Sequence, residues 1–180
     1  MGESLPSHDS SRELSLIVAS PKPERASWLV EKATELGVTR IAWLQCSRSA
    51  RRFSDSVLAR HGRIAIAALE QCGGATLPVV SGPHEWSELG GLLGVLDRWW
   101  TLDTAGAPGG VAESDVAFAG ARALGLVIGP EGGWSDAERA ELEALGGAFW
   151  SLGERTLRVE TAAVVGAGLL LASRGLLPPG

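Results

Sequence analysis

No apolar run in the 180 residues is long enough to cross a bilayer, which excludes a spanning helix. No signal-peptide pattern opens the chain, so a cytoplasmic protein is expected. Cysteine is scarce: Cys46 and Cys72 are too few and too far apart to complete a metal site, and two ordinary thiols suit a reducing compartment. Neither a metal nor a membrane partner is expected. Lysine is nearly missing, with Lys22 and Lys32 set against 14 arginines. A GC-rich coding sequence accounts for most of that bias, although arginine also forks carboxylates and phosphates better than lysine does. The net charge of −5 denies the chain an overall basic footprint of the kind that marks many nucleic-acid binders. Internal repeats and low-complexity blocks are absent. With 45% hydrophobic and 21% charged residues, wholesale disorder is excluded as well.

What remains is a patterned globular domain over residues 13–180, preceded by a polar, serine-rich tail at 1–12. Apolar runs at 14–19, 41–44, 78–80, 99–102, 124–128 and 149–152 read as strands. Amphipathic segments read as helices at 24–36 and 57–72, a weak helix at 85–93, and a helix capped by the box Ser135-x-x-Glu138. Residues 103–110 read as a loop of glycine, alanine and proline. The last helix, 161–173, is apolar on almost every side (Val164, Val165, Leu169, Leu170, Leu171). In so small a domain a partner subunit is the expected cover for it. Alternation of strands and helices calls for an α/β fold with a parallel sheet and helices on both faces.

Ligands of such sheets sit beyond the carboxyl ends of the strands. Three strand-end loops stand out: Asp103–Gly106, Gly129–Gly133 (Gly-Pro-Glu-Gly-Gly), and Gly153–Thr161. The second matches neither a Walker loop nor a dinucleotide fingerprint, and Glu131 would repel phosphate. It suits a neutral or cationic ligand held by backbone contacts, or simply a tight strand-to-helix turn. The third carries Arg158 and Glu160 at the mouth of the apolar helix, where they serve a site or pair with each other. Arg48, Arg51, Arg52, Arg60 and Arg63 place five positive charges within sixteen residues, with Asp55 as the only acid. That cluster is either a solvated surface or a patch that contacts RNA phosphates.

The stretches WLVEKATELGV (28–38), SRSARR (47–52), IAIAALEQCG (64–73), VIGPEGGWS (127–135) and LGERTLRVETAA (152–163) occur in an order and spacing that resemble the RsmE family of SPOUT-class RNA methyltransferases. The resemblance covers about residues 14–174. It implies a trefoil-knotted parallel sheet, S-adenosylmethionine as cofactor, a homodimer through the last helix, and methylation of uracil N3 at a uridine of 16S rRNA in the small ribosomal subunit. Carried over residue by residue, the cofactor set is Leu102, Asp103, Ile128, Gly129, Pro130, Glu131, Gly132, Gly133, Leu152, Gly153, Leu157, Arg158 and Ala162.

Arg158 is then expected to stabilise charge on the uracil oxygens. Glu160 is expected to act as base or to orient Arg158. Trp134 would stack on a base or pack as core or lid. The chain departs from the family where His-Pro is common (Asp103-Thr104 here) and where arginines follow Glu-Gln-Cys-Gly (Gly74-Ala75-Thr76 here). The family usually carries an N-terminal RNA-binding domain, and only a short tail is expected ahead of the first strand here. A degenerate SPOUT domain that binds cofactor or RNA without this activity, or methylates a different RNA, is the alternative.

Overall fold

A computed structural model describes residues 13–49, 52–108 and 120–173. The expected tail at 1–12 and Arg51 lie outside the described residues. Six strands follow one another as β1 (Glu13–Ala19), β2 (Arg40–Gln45), β3 (Val79–Glu85), β4 (Arg98–Pro108), β5 (Ala123–Ile128) and β6 (Ala148–Ser151). They form one sheet in the order β3-β2-β1-β5-β4-β6, and every neighbouring pair is parallel. The helices are α1 (Pro23–Glu35), α2 (Asp55–Cys72), α3 (Leu89–Leu93, entered through a 3-10 turn at Trp86–Glu88), α4 (Asp136–Ala144) and α5 (Val159–Ser173).

Side chains alternate across each strand, and that alternation builds two cores. Leu14, Leu16 and Val18 of β1 face α1, α2 and α5, meeting Leu29, Ala65 and Ala163. Ile17 and Ala19 face the other way, toward Leu89 and Leu93 of α3 and Leu142 of α4. The expected parallel sheet with helices on both faces is therefore present. Central strands buried on both sides need continuous apolar runs, and those were the runs visible in the sequence.

Three boundaries differ from expectation. β3 continues to Glu85 rather than stopping at Val80. It is an edge strand, and its register with β2 shifts between Ala42 and Leu44, which accommodates Gly82-Pro83. β4 runs to Pro108 through residues expected as loop. Beyond Leu102 it re-pairs with β6, Ala107 opposite Trp150. Gly106 makes that approach possible, because a Cβ there would lie 2.7 Å from the Trp150 amide nitrogen. Finally, α5 begins at Val159, so Glu160 and Thr161 lie in its first turn rather than in the preceding loop.

α5 also shows how far one chain covers its own apolar helix. Ala163, Gly166, Ala167 and Leu170 are buried, whereas Val165 and Leu169 remain 39% and 47% exposed. The expectation of a helix covered on all sides is not met within the single chain.

His61 of α2 is wholly buried against Trp43 and Phe53, with ring centroids 5.3 Å from each. Burial, and secondarily Arg60, pushes its pKa down to about 4. The unfolded chain takes up this proton near pH 6.5 and the folded protein only near 4. The stabilisation is complete above 6.5 and is lost as pH falls from 6.5 to 4. Over that interval His61→Leu is expected to lose about 3 kcal/mol less stability than the parent protein. Urea unfolding at a series of pH values measures this.

Candidate functional site

The middle of β4, where its pairing with β5 ends at Leu102, and the carboxyl ends of β5 and β6 open onto one cavity of about 300 Å³. That volume lies at the low end of the range for small-molecule pockets. All three loops singled out in the sequence meet there. Leu102, Asp103 and Thr104 come from β4, and Ile128 closes β5. Gly129, Pro130, Glu131, Gly132 and Gly133 form the turn after β5. Leu152, Gly153 and Leu157 follow β6, and Ala162 projects from α5. Twelve of the thirteen cofactor-set residues named from the sequence therefore line a single space. Arg158 does not, although its neighbours Leu157 and Val159 do.

The glycine turn is held from several sides. The Trp134 indole lies where a Cβ on Gly129 would stand, 2.7 Å from its Cε2, and Trp134 Nε1 donates to the Leu102 carbonyl at 3.3 Å. One side chain thereby joins the middle of β4 to the end of β5. Arg48 Nη1 donates to the Gly132 carbonyl at 2.8 Å, and Arg25 of α1 pairs with Glu131. Ser135 caps α4, and the reciprocal bond from its own backbone N–H to Glu138 completes the expected capping box. Glu138 also accepts the Ser47 amide at 2.8 Å, tying the loop after β2 to the start of α4. Burial raises the Glu138 pKa, but the bonds from Ser135 and Ser47 outweigh it and hold the group below the usual glutamate value.

The cavity wall carries two carboxylates, and each is backed by an arginine. Asp103 pairs with Arg139, whose guanidinium also lies 4.2 Å from the centroid of the Phe149 ring. Glu131 pairs with Arg25. Backbone groups, these neutralised acids, Arg155 and the hydroxyls of Thr104, Ser151 and Thr156 make a mixed polar wall with no unpaired carboxylate on it. Cys46 lies under this region but is no nucleophile. Burial first, then the Glu138 carboxylate, pushes its thiol up to about 12 against the Ser49 hydrogen bond.

The two residues expected to do chemistry part company. Arg158 is exposed and makes no salt bridge with Glu160 or any other acid among the described residues. Glu160 is 8% exposed and turned away from the cavity. It lines a recess with Glu24, Arg25, Trp28 and Thr161, its Oε1 3.8 Å from Arg25 Nε. The reason is the early start of α5: at about 100° per residue, Val159 and Ala162 face the cavity and Glu160 faces α1. No metal-holding cluster of His, Cys, Asp or Glu occurs among the described residues, and no described helix is long and apolar enough to cross a membrane.

The basic patch also divides. Arg48 is engaged by the glycine turn and Arg52 pairs with Glu85, while Arg60 and Arg63 stand exposed on α2. Sequence reasoning missed Arg25, Trp150, Ser151, Arg155 and Thr156. The last four are wall residues: Trp150 and Ser151 close β6, and Arg155 and Thr156 lie in the loop after it. Arg25 comes from an amphipathic helix whose polar side gave no hint that it points at the glycine turn.

Residues 8–171 match the family described as "RNA methyltransferase domain". The chain is 29% identical to ribosomal RNA small subunit methyltransferase E of Treponema pallidum over 174 residues, covering 89% of this chain and 62% of that protein. It therefore spans about three fifths of that relative's length. Among solved structures, the Neisseria gonorrhoeae ribosomal RNA small subunit methyltransferase E bound to S-adenosyl methionine superposes with a TM-score of 0.79 at 26% identity, covering 89% of this chain and 66% of that one. A Legionella pneumophila methyltransferase in complex with SAM gives 0.78 at 29%, covering 91% and 67%.

Gly129→Ala sets a methyl group against the Trp134 ring and is expected to cost about 1–3 kcal/mol. It should also perturb the near-ultraviolet tryptophan dichroism and weaken ligand uptake. Thermal melts and dichroism of the variant test this together.

Proposed function

The chain belongs to the RNA methyltransferase domain family, and on that premise we propose that it uses S-adenosylmethionine to methylate N3 of a uridine in 16S rRNA. The observation that carries the reading is the convergence on one cavity of the mid-β4 segment at Leu102–Thr104 with the loops that follow β5 and β6. The fit to the cofactor rests on that wall, whose polar content is backbone groups, two arginine-backed carboxylates, Arg155 and the hydroxyls of Thr104, Ser151 and Thr156. Two structural relatives above 25% identity were solved with this cofactor bound. The trefoil-knotted chain path of the SPOUT class belongs to the same proposal, as does a single methyltransferase domain over 13–180.

When bound, the cofactor supplies a methyl group already activated by its sulfonium. The protein's task is to hold acceptor and donor in line, which supplies much of the rate in such transfers. Leu102, Ile128, Leu152 and Leu157 give the cavity apolar walls and exclude water. The glycine turn offers carbonyl and amide groups at close range. Arg158, exposed between two wall residues and free of any carboxylate partner among the described residues, stabilises negative charge on the uracil oxygens as N3 loses its proton. Glu160 has no reach into the cavity and acts on the neighbouring helix instead. Among the described members of the basic patch, Arg60 and Arg63 are the ones left to meet RNA phosphates.

One observation favours the second reading, cofactor binding without this methylation: neither Arg158 nor Glu160 lines the cavity. The two readings separate in a direct experiment. Calorimetric titration with S-adenosylmethionine is expected to show binding to the parent protein and, unchanged, to Arg158→Ala. Transfer to 16S rRNA, followed by mass spectrometry of the nucleosides, is expected to fall about a hundredfold in Arg158→Ala. Absence of any transfer by the parent protein despite binding selects the second reading.

The exposed stripe of α5 supports a homodimer through this helix. Leu169→Asp is expected to halve the mass measured by light scattering while leaving the circular dichroism of the fold in place.

A further inference from the structure

Arg25 stands between two carboxylates brought from distant parts of the chain. Its Nη1 meets Glu131 on the cavity rim, and its Nε lies 3.8 Å from Oε1 of Glu160. The two acids differ in kind. Glu131 is half exposed and lines the cavity. Glu160 is buried in the recess between α1 and α5, and its Oε2 has no hydrogen-bond partner among the described residues. A buried carboxylate short of donors is costly, and Arg25 is the cation beside it. The glutamate behind therefore fixes the guanidinium in place, and the guanidinium cancels the charge of the glutamate in front. The planar fork of arginine reaches both partners at once.

We propose that Arg25 is a positioning residue which, held from behind by Glu160, neutralises Glu131 and thereby limits how strongly the cavity prefers a cationic ligand over its neutral counterpart. This rests on the reading of the cavity as an S-adenosylmethionine site. There the distinction has a purpose: the donor carries a sulfonium, whereas the product of methyl transfer, S-adenosylhomocysteine, is a neutral thioether. An unpaired carboxylate on the wall would tighten the donor relative to the product. A neutralised one leaves both to be held by shape and backbone contacts.

The test is calorimetric titration of S-adenosylmethionine and S-adenosylhomocysteine into the parent protein, Arg25→Met, Arg25→Lys, Glu131→Gln and the double variant Arg25→Met/Glu131→Gln. In Arg25→Met the ratio of product Kd to donor Kd is expected to rise roughly three- to tenfold. The double variant returns it to the parent value, Glu131→Gln alone leaves it near that value, and Arg25→Lys restores most of the parent behaviour. A merely structural role would weaken both ligands together and leave the ratio unmoved, and that result overturns the inference. So does a Glu131→Gln variant whose ratio falls severalfold, since Glu131 would then already act as a free charge. This second variant keeps the question open to refutation if Arg25→Met fails to fold. If the parent protein takes up neither compound, the cofactor assignment itself fails and the inference falls with it.

Discussion

The indole of Trp134 occupies the space beside Gly129 that a side chain would otherwise fill, and its ring nitrogen reaches the Leu102 carbonyl. Those contacts hold β4 at Leu102 against the turn that leaves β5, on one side of the cavity. Their support extends outward. The Trp86 ring lies 6.0 Å from that of Trp134, and Trp86 Nε1 donates to Glu141 of α4 at 2.6 Å. A close approach of ring to backbone at one glycine is thus braced by the helix that the glycine turn leads into. If Gly129 were larger, the indole would have to leave, and the other wall residues would lose the frame that aligns them.

Around that frame the electrostatics follow one pattern. Acids at the cavity wall are answered by arginines from outside it: Asp103 by Arg139, Glu131 by Arg25. The arginine bias read from composition as mostly incidental is used here for what arginine does best, bridging carboxylates and covering an aromatic ring. It also explains why an acidic chain need not present an acidic pocket. Net charge is summed over the surface, whereas the ligand meets only the local balance.

How much of this was legible in advance depended on the range of the interaction. The central strands were plain, because burial on both faces demands uninterrupted apolar runs such as Leu124–Ile128. The capping box at Ser135 was plain, because it is a contact between residues three apart. The cavity loops were legible through glycine spacing and family resemblance. The extension of β4 was not, since it depends on Gly106 meeting Trp150 across the sheet, and glycine in a sequence signals turn more strongly than close approach. The orientation of Glu160 was missed for a simpler reason. Starting α5 two residues earlier rotates that carboxylate from the cavity toward α1. Arg25 could not be found at all, because nothing local distinguishes an arginine that reaches a loop more than a hundred residues away from one that meets water.

The sheet order has a consequence for the way the protein is made. β1 lies at the centre, yet one of its two neighbours is β5, so Leu14 pairs with Leu124 and Val18 with Ile128. During synthesis β1 can join β2 and then β3 through β2, but one edge of β1 stays open until β5 has emerged. High contact order of this kind slows folding and leaves an apolar strand exposed while the ribosome finishes its work. The cavity comes later still, because its third wall follows β6 and its floor rests on α5. A nascent chain therefore has no ligand site to fill until β6 and the start of α5 have both emerged.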